Sequence, residues 1–238
     1  RVQRIYCALG GSASTDGGVG ALMALGFEFL DSTGQTISLG GAQLSKILSI
    51  SNNAAVVPPK GGVTLLVDVD SPLFGIHGAA SVFAPQKGAT QDEIIQLELG
   101  LQSFSRLIDY AASPGSGAAG GTSFGLSALW GATIENGASK ISQICRLDDA
   151  IRASDLVITG EGRLDSQSFR GKVVGHISER ANAAGVPIAY CVGSIEGGFP
   201  TPNLGGIALS ELAGSTKEAI ENPQRYLIEA GVKLANFL

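Results

Sequence analysis

Two rhythms of apolar and polar positions alternate along the chain, and the switches between them mark its elements. Arg4 to Leu9 predicts a buried strand, Gly10 to Gly18 a loop, and Val19 to Leu25 a short helix stopped at Gly26, which suits a left-handed cap. Phe27 to Leu30, followed by Asp31-Ser-Thr-Gly34, reads as a short strand and turn, and Gly40 to Ile50 as a loop with a helical turn. Val63 to Val69 is an apolar run rich in β-branched residues, a buried strand whose C-terminal end carries Asp68, Asp70, Ser71 and Pro72. Open α/β sheets bind ligands at that end. Ile94, Ile95, Leu97, Leu101, Phe104, Leu107 and Ile108 recur at helical spacing and predict an amphipathic helix from Gln91 to Ala112, ended by Pro114 and Gly115.

Beyond that point the pattern becomes repetitive. Gly117 to Leu129 predicts a helix whose Gly120, Gly121, Gly125 and Ala128 permit close helix packing or approach to a ligand. A short helix at Leu147 to Ala153 and a strand at Asp155 to Thr159 follow, then a helix at Ser168 to Ala184, strands at Pro187 to Val192 and Gly206 to Leu209, and a final helix at Pro223 to Asn236. Such a tail holds about three parallel strands, fewer than a Rossmann-like sheet typically has. Further strands are therefore expected from sequence outside this chain or from another chain, and the unpaired edge admits a homodimer. The chain opens at Arg1, without an initiator methionine and a few residues ahead of its first loop, so an upstream segment is expected.

Composition narrows the function more than the fold. With 238 residues, 44% hydrophobic and 16% charged, the chain is that of a globular protein of one large or two modest domains. A formal charge of −5 and a pI near 5.0, without a basic tract, argue against nucleic acid and anionic membranes and favour small-molecule chemistry. No apolar run reaches the roughly 18 to 20 residues of a membrane span. Cys7, Cys145 and Cys191 lack metal-ligand spacing and read as the reduced thiols of a cytoplasmic protein.

The 34 glycines cluster at loops, and two of those loops carry the chemistry. Leu9 to Gly18 (LGGSASTDGG) and Thr159 to Gln167 (TGEGRLDSQ) each follow a predicted strand and precede a predicted helix. Glycine lets backbone N–H groups approach an anion, the helix N-terminus adds positive dipole, and a nearby carboxylate can hold Mg²⁺ or accept a proton. Neither loop has the spacing of a Walker A or a dinucleotide fingerprint. Ser12, Ser14, Thr15 and Asp16 add more polar groups to the first loop than a plain turn needs. In the second, Arg163 either serves phosphate with Gly160, Glu161, Gly162 and Asp165 or forms a surface pair with Asp165 or Glu161. Asp165 alternatively caps the next helix. Lys172 suits a phosphate or a solvated helix face equally, and so does Lys87 in its Phe-Ala-Pro-Gln-Lys-Gly loop. Asp68 and Asp70 lie two apart at the end of one strand, and Asp68 is the one assigned to a site. His77 and His176 are isolated and receive no role.

In order along the chain, these segments resemble the bacterial type I glycerate kinase family. The matching stretches are LGGSASTDGGVGALMALGFEFLD from Leu9, DVDSPLFG from Asp68, GAASVFAPQKGAT from Gly78, PGSGAAGG from Pro114, and VITGEGRLDSQS with a Gly-Lys pair from Val157 to Lys172. Ser71 replaces the family's usual asparagine, and Val174 a proline common after the Gly-Lys pair. The resemblance implies an α/β protein of two domains, an inserted mixed α/β domain and a Rossmann-like parallel-sheet domain. Residues 1–153 correspond to most of the inserted domain and residues 154–238 to the C-terminal half of the Rossmann-like one. It also implies transfer of the ATP γ-phosphate to a hydroxyl of D-glycerate with Mg²⁺, domain closure excluding water from ATP. By that likeness Gly10, Gly11 and Ser12 form an anion-binding turn, and Asp16 and Asp68 contact metal or substrate hydroxyl. Gly160, Glu161, Gly162, Arg163 and Lys172 serve phosphate or nucleotide, and Asp165 holds Mg²⁺ or acts as base. A non-catalytic or truncated glycerate-kinase-like binding protein is the alternative, and a kinase of another hydroxy acid or sugar acid a third.

Overall fold

The computed structural model describes residues 2–166, 168–169, 173–200 and 204–237. The chain divides into two compact units, residues 1–137 and 138–238.

In the first unit the elements are β1 (Ile5–Ala8), α1 (Val19–Ala24), β2 (Glu28–Leu30), β3 (Ser49–Ser51), β4 (Val63–Val67), α2 (Ala79–Phe83), α3 (Gln91–Arg106), α4 (Ala118–Trp130) and β5 (Thr133–Asn136). A three-stranded sheet runs in the order β1-β4-β5, every pair parallel, with Ala8 opposite Leu66 and Val67 opposite Asn136. All five residues of β4 are buried, as a central parallel strand covered on both faces requires. The unit also holds an antiparallel pair, β2 with β3. Strand β5 carries no apolar run that periodicity detects; its Thr-Ile-Glu-Asn sequence is a strand because β4 offers it a ladder.

Helix α3 starts in a capping box: the Glu93 N–H donates to Thr90 Oγ1, and the Thr90 N–H donates to the Glu93 carboxylate at 2.7 Å. It ends at Arg106 rather than Ala112. The chain leaves the helix early and brings the Tyr110 ring edge-on to Phe124, centroids 6.0 Å apart. Phe104 meets Phe29 and Phe124 in the same geometry at 5.9 and 6.0 Å, and these rings centre the core. Helix α4 opens with three residues at positive φ, Ala119, Gly120 and Gly121, before it becomes regular.

The second unit takes up α5 (Gly137–Ile144), which begins at the division, then α6 (Leu147–Arg152), β6 (Val157–Thr159), β7 (Arg163–Leu164), α7 (Val173–Ala184), β8 (Ile188–Val192), β9 (Ser194–Ile195), β10 (Gly206–Ala208), α8 (Leu209–Ala213), α9 (Thr216–Glu221) and α10 (Pro223–Leu234). Its main sheet is parallel throughout, in the order β10-β8-β6, and a short parallel pair, β7 with β9, extends beyond it. Tyr190 is fully buried in β8, its ring stacked on Phe199 and its hydroxyl 3.0 Å from Ser178 Oγ. Helix α10 buries Tyr226, Ala230 and Leu234 but leaves Leu227, Ile228 and Val232 exposed. The α/β class with parallel sheets is thus the architecture of both units. No helix among the described residues is long and apolar enough to cross a membrane.

Candidate functional site

Each unit carries one of the glycine-rich loops, and each loop leaves the C-terminal edge of a parallel sheet. The first runs from β1 to α1. Its Leu9 N–H still donates to Leu66 O at 3.1 Å, after which the chain turns away. Because β1 and β4 are parallel neighbours, the loop and Asp68, one residue past β4, share the same sheet edge.

Asp16 organises this loop. It is 8% exposed, and its carboxylate accepts the Gly18 N–H at 3.1 Å, the Gly20 N–H at 3.0 Å and the Ser14 hydroxyl at 3.3 Å. Two of these donors belong to the start of α1, where a negative charge also meets the helix dipole favourably. The back of the loop is pressed against α4: the Gly17 N–H donates to Gly120 O, and a Cβ on Gly125 would lie 2.0 Å from Gly17 O. A Cβ on Gly17 would meet the Phe104 ring at 2.9 Å. The small residues of α4 therefore admit the loop's backbone. Gly10 and Gly11 differ: a Cβ on either would meet nothing within 4 Å, and Gly11 sits at φ +67°. The front of the loop is open where its back is packed.

Asp68 is exposed and lies against Gly137, where a Cβ would fall 2.7 Å from its Oδ1. Asp70 is also exposed. Lys87 Nζ donates to Ser12 Oγ at 2.9 Å and to the Ser14 carbonyl. Thr15 is buried, and its Oγ1 has no hydrogen-bond partner among the described residues.

The second loop connects β6 to β7 and crosses the segment joining β8 to β9. Gly193 N–H donates to Glu161 O at 2.9 Å and Ser194 N–H to Gly162 O at 3.0 Å. The crossing is so close that a Cβ on Gly160 would sit 1.8 Å from Cys191 O, and one on Gly193 would sit 2.4 Å from Gly162 O. Arg163 pairs with Glu196, with Asp165 further off at 3.8 Å. Both carboxylates hold the guanidinium pKa up, Glu196 by far the nearer. Asp165 is partly buried and its N–H donates to Ser168 Oγ at 3.0 Å, while the fully buried Ser168 returns its own N–H to Asp165 O. Glu161 Oε1 is buried without a hydrogen-bond partner among the described residues. Lys172 lies outside the described residues.

The sequence pattern did not reveal Glu196 or Ser168. Glu196 reaches Arg163 only through the β7-β9 pairing. Ser168 did carry a local signal, a serine three residues after Asp165, the spacing of a side-chain turn.

No group of three or more His, Cys, Asp or Glu side chains suited to a metal ion occurs among the described residues. Mg²⁺ bound together with phosphates needs only one or two carboxylates. Asp68 in the first unit, and Asp165 and Glu161 in the second, are the carboxylates at these loops that could serve in that way.

A family model described as the glycerate kinase family matches residues 1–238. The chain is similar to a glycerate kinase of Halalkalibacterium halodurans, 38% identical over 83% of this chain and 54% of that protein. It is similar also to a glycerate kinase of Bacillus subtilis, 33% identical over 98% of this chain and 65% of that protein. A crystal structure assigned to glycerate kinase 2 of Salmonella typhimurium LT2 superposes with a TM-score of 0.70 at 30% identity, covering 100% of this chain and 66% of that one. The chain spans between about half and two thirds of the length of the curated relatives it matches. With its whole length accounted for by one family model, the chain belongs to the glycerate kinase family.

Proposed function

We propose that this chain takes part in Mg²⁺-dependent transfer of the ATP γ-phosphate to a hydroxyl of D-glycerate. The observation that carries the proposal is the placement of two glycine-rich, carboxylate-bearing loops at the C-terminal edges of parallel sheets, in a chain of this family. In this reading residues 1–153 are most of the inserted domain and residues 154–238 the C-terminal half of the Rossmann-like one.

Phosphoryl transfer asks a protein for positioning, neutralisation of charge and a proton acceptor. Gly10, Gly11 and Ser12, open at their front, present backbone N–H groups to an anion. Gly160, Glu161, Gly162 and Arg163 attend the nucleotide phosphates, and Lys172 joins them. Asp165 accepts the proton of the attacking hydroxyl or ligates the metal. Asp68 takes a metal or substrate-hydroxyl contact, and Asp16 keeps the first loop in shape. Mg²⁺, when bound, neutralises phosphate charge. The glycerate hydroxyl oxygen bonds to the γ-phosphorus as the bond to the ADP oxygen breaks. The family setting favours a cytoplasmic enzyme of small metabolites.

The test is ADP release with D-glycerate, ATP and Mg²⁺, measured on this chain and on the chain joined to the upstream segment of its family. Turnover in either form is the expected result. Glycerate binding without turnover in both would replace the proposal with the non-catalytic binding protein. In the active form, Asp165→Asn is expected to lower kcat by about 100-fold or more while the circular dichroism spectrum is unchanged. Unchanged turnover would remove Asp165 from the mechanism.

A further inference from the structure

Lys87 belongs to an element remote in sequence from the first loop, yet its side chain ties that loop down at Ser12 and Ser14. It ends a 3₁₀ turn, Pro85–Lys87, that is rigid for local reasons. Pro85 restricts φ at the start and Gly88 takes a φ of +94° at the end. The N–H groups of Lys87 and Ala89 both donate to the carbonyl of Ala84, itself buried in the core. The half-buried side chain crosses from this turn to the loop and donates to Ser12 Oγ, 75 residues away, and to the Ser14 carbonyl, 73 away.

Both acceptors are neutral. The carboxylates around the ammonium are otherwise engaged: Asp16 takes N–H groups of its own loop, and Glu93, which lines the same cavity of about 260 Å³, closes the capping box of α3. Among the described residues no carboxylate forms an ion pair with Lys87. Burial lowers its pKa below the usual lysine value while the field of Asp16 opposes that shift, so the ammonium stands there against a desolvation penalty. Ser12 Oγ, with a lone pair occupied by Lys87, keeps its own proton free to donate, and among the described residues no acceptor takes it.

We propose that Lys87 is a positioning residue of the first loop, holding Ser12 so that its hydroxyl proton is offered to an incoming oxyanion, of phosphate or carboxylate type, beside Gly10 and Gly11. The proposal rests on the first loop being the anion-binding turn of the proposed function. The ammonium also adds positive charge to a turn whose own carboxylate, Asp16, is engaged by N–H groups of the loop.

Three forms of the chain test it: wild type, Lys87→Met and Lys87→Arg. Amide hydrogen exchange at residues 17, 18 and 20, whose N–H groups are held by Gly120 O and the Asp16 carboxylate, is expected to quicken about tenfold or more in Lys87→Met, with residues 63–67 unchanged and Lys87→Arg restoring protection. Inorganic phosphate and D-glycerate are then added separately. The one that slows exchange at residues 10–12 in wild type and Lys87→Arg, but not in Lys87→Met, identifies the oxyanion. In the catalytically active form, kcat falls about tenfold or more in Lys87→Met with little change in KM for ATP, and Lys87→Arg recovers it. Wild-type exchange and turnover in Lys87→Met would overturn the proposal, as would a loosened loop whose anion response and kcat are intact. If Lys87→Met fails to fold, Lys87→Gln carries the same readouts. If no form turns over ATP, the proposed function falls, while the exchange and anion results still decide the role of Lys87.

Discussion

The two units build the same device on unequal foundations. In the first, a loop leaving a parallel strand is backed by α4 and by the Phe104 ring, over a core of large aromatic and aliphatic side chains. In the second, the loop leaving β6 rests on a crossing with the β8-β9 segment, over two smaller clusters, and α10 keeps Leu227, Ile228 and Val232 in solvent. Both loops rely on close backbone approach at glycines, Gly120 and Gly125 behind the first, Gly160 and Gly193 at the second, but only the first also has a large ring, Phe104, against its back. The contrast teaches that one motif type can be held with or without side-chain volume behind it. The two loops should accordingly fail to different mutations.

Phe104→Ala tests the first half of that contrast and should have the largest effect. Removing a fully buried ring that meets two others and lies on Gly17 is expected to destabilise the protein by about 3 to 5 kcal/mol in chemical denaturation. The amides of Gly17 and Gly18 should lose protection with the core, and their survival would mean that Asp16 alone shapes the loop. Gly160→Ala tests the second half. Its Cβ would overlap a backbone carbonyl, so β6 and β8 must separate, at a penalty of about 1 to 3 kcal/mol. Exchange at Gly193 and Ser194 reports whether the crossing opens; unperturbed amides there would show that the loop is held elsewhere.

The smallest effect concerns a cluster of the second unit that neither loop uses. Arg180 donates to His176 Nε2 at 3.0 Å and to both oxygens of Asp148. Burial first, and then the Arg180 charge, pull the histidine pKa below its usual value, with Glu179 and Asp148 opposing. A group whose folded pKa is depressed lends stability that is present above the unfolded pKa and lost as pH falls through the folded one. A thermal melt series should therefore show stability dropping as pH falls below about 6.5, and His176→Gln should flatten that limb. Parallel profiles for the two proteins would show that His176 stays neutral throughout, or that its charge is tolerated.

Much of this was legible because it is local. The β-branched run of β4, the spacing along α3 and the glycine stops were visible without neighbours, since period and positive φ are properties of a short segment. The two loops were visible too, as clusters of glycine and polar residues between apolar runs. Strand β5 was not, because its four residues acquire their conformation from the exposed ladder of β4. The purpose of Gly120 and Gly125 was open between helix packing and ligand approach, and their neighbours turn out to be the backbone of the first loop.

By itself, then, the sequence determined the α/β class, the order of its main elements and the positions of both loops, all of which depend on residues within a few places of one another. Only the tertiary structure decided who holds whom: Lys87 with Ser12, Glu196 with Arg163, Phe104 against Gly17. Those partners lie tens of residues apart, and side chains meet across such distances only after strand pairing and core packing have brought their backbones to one edge.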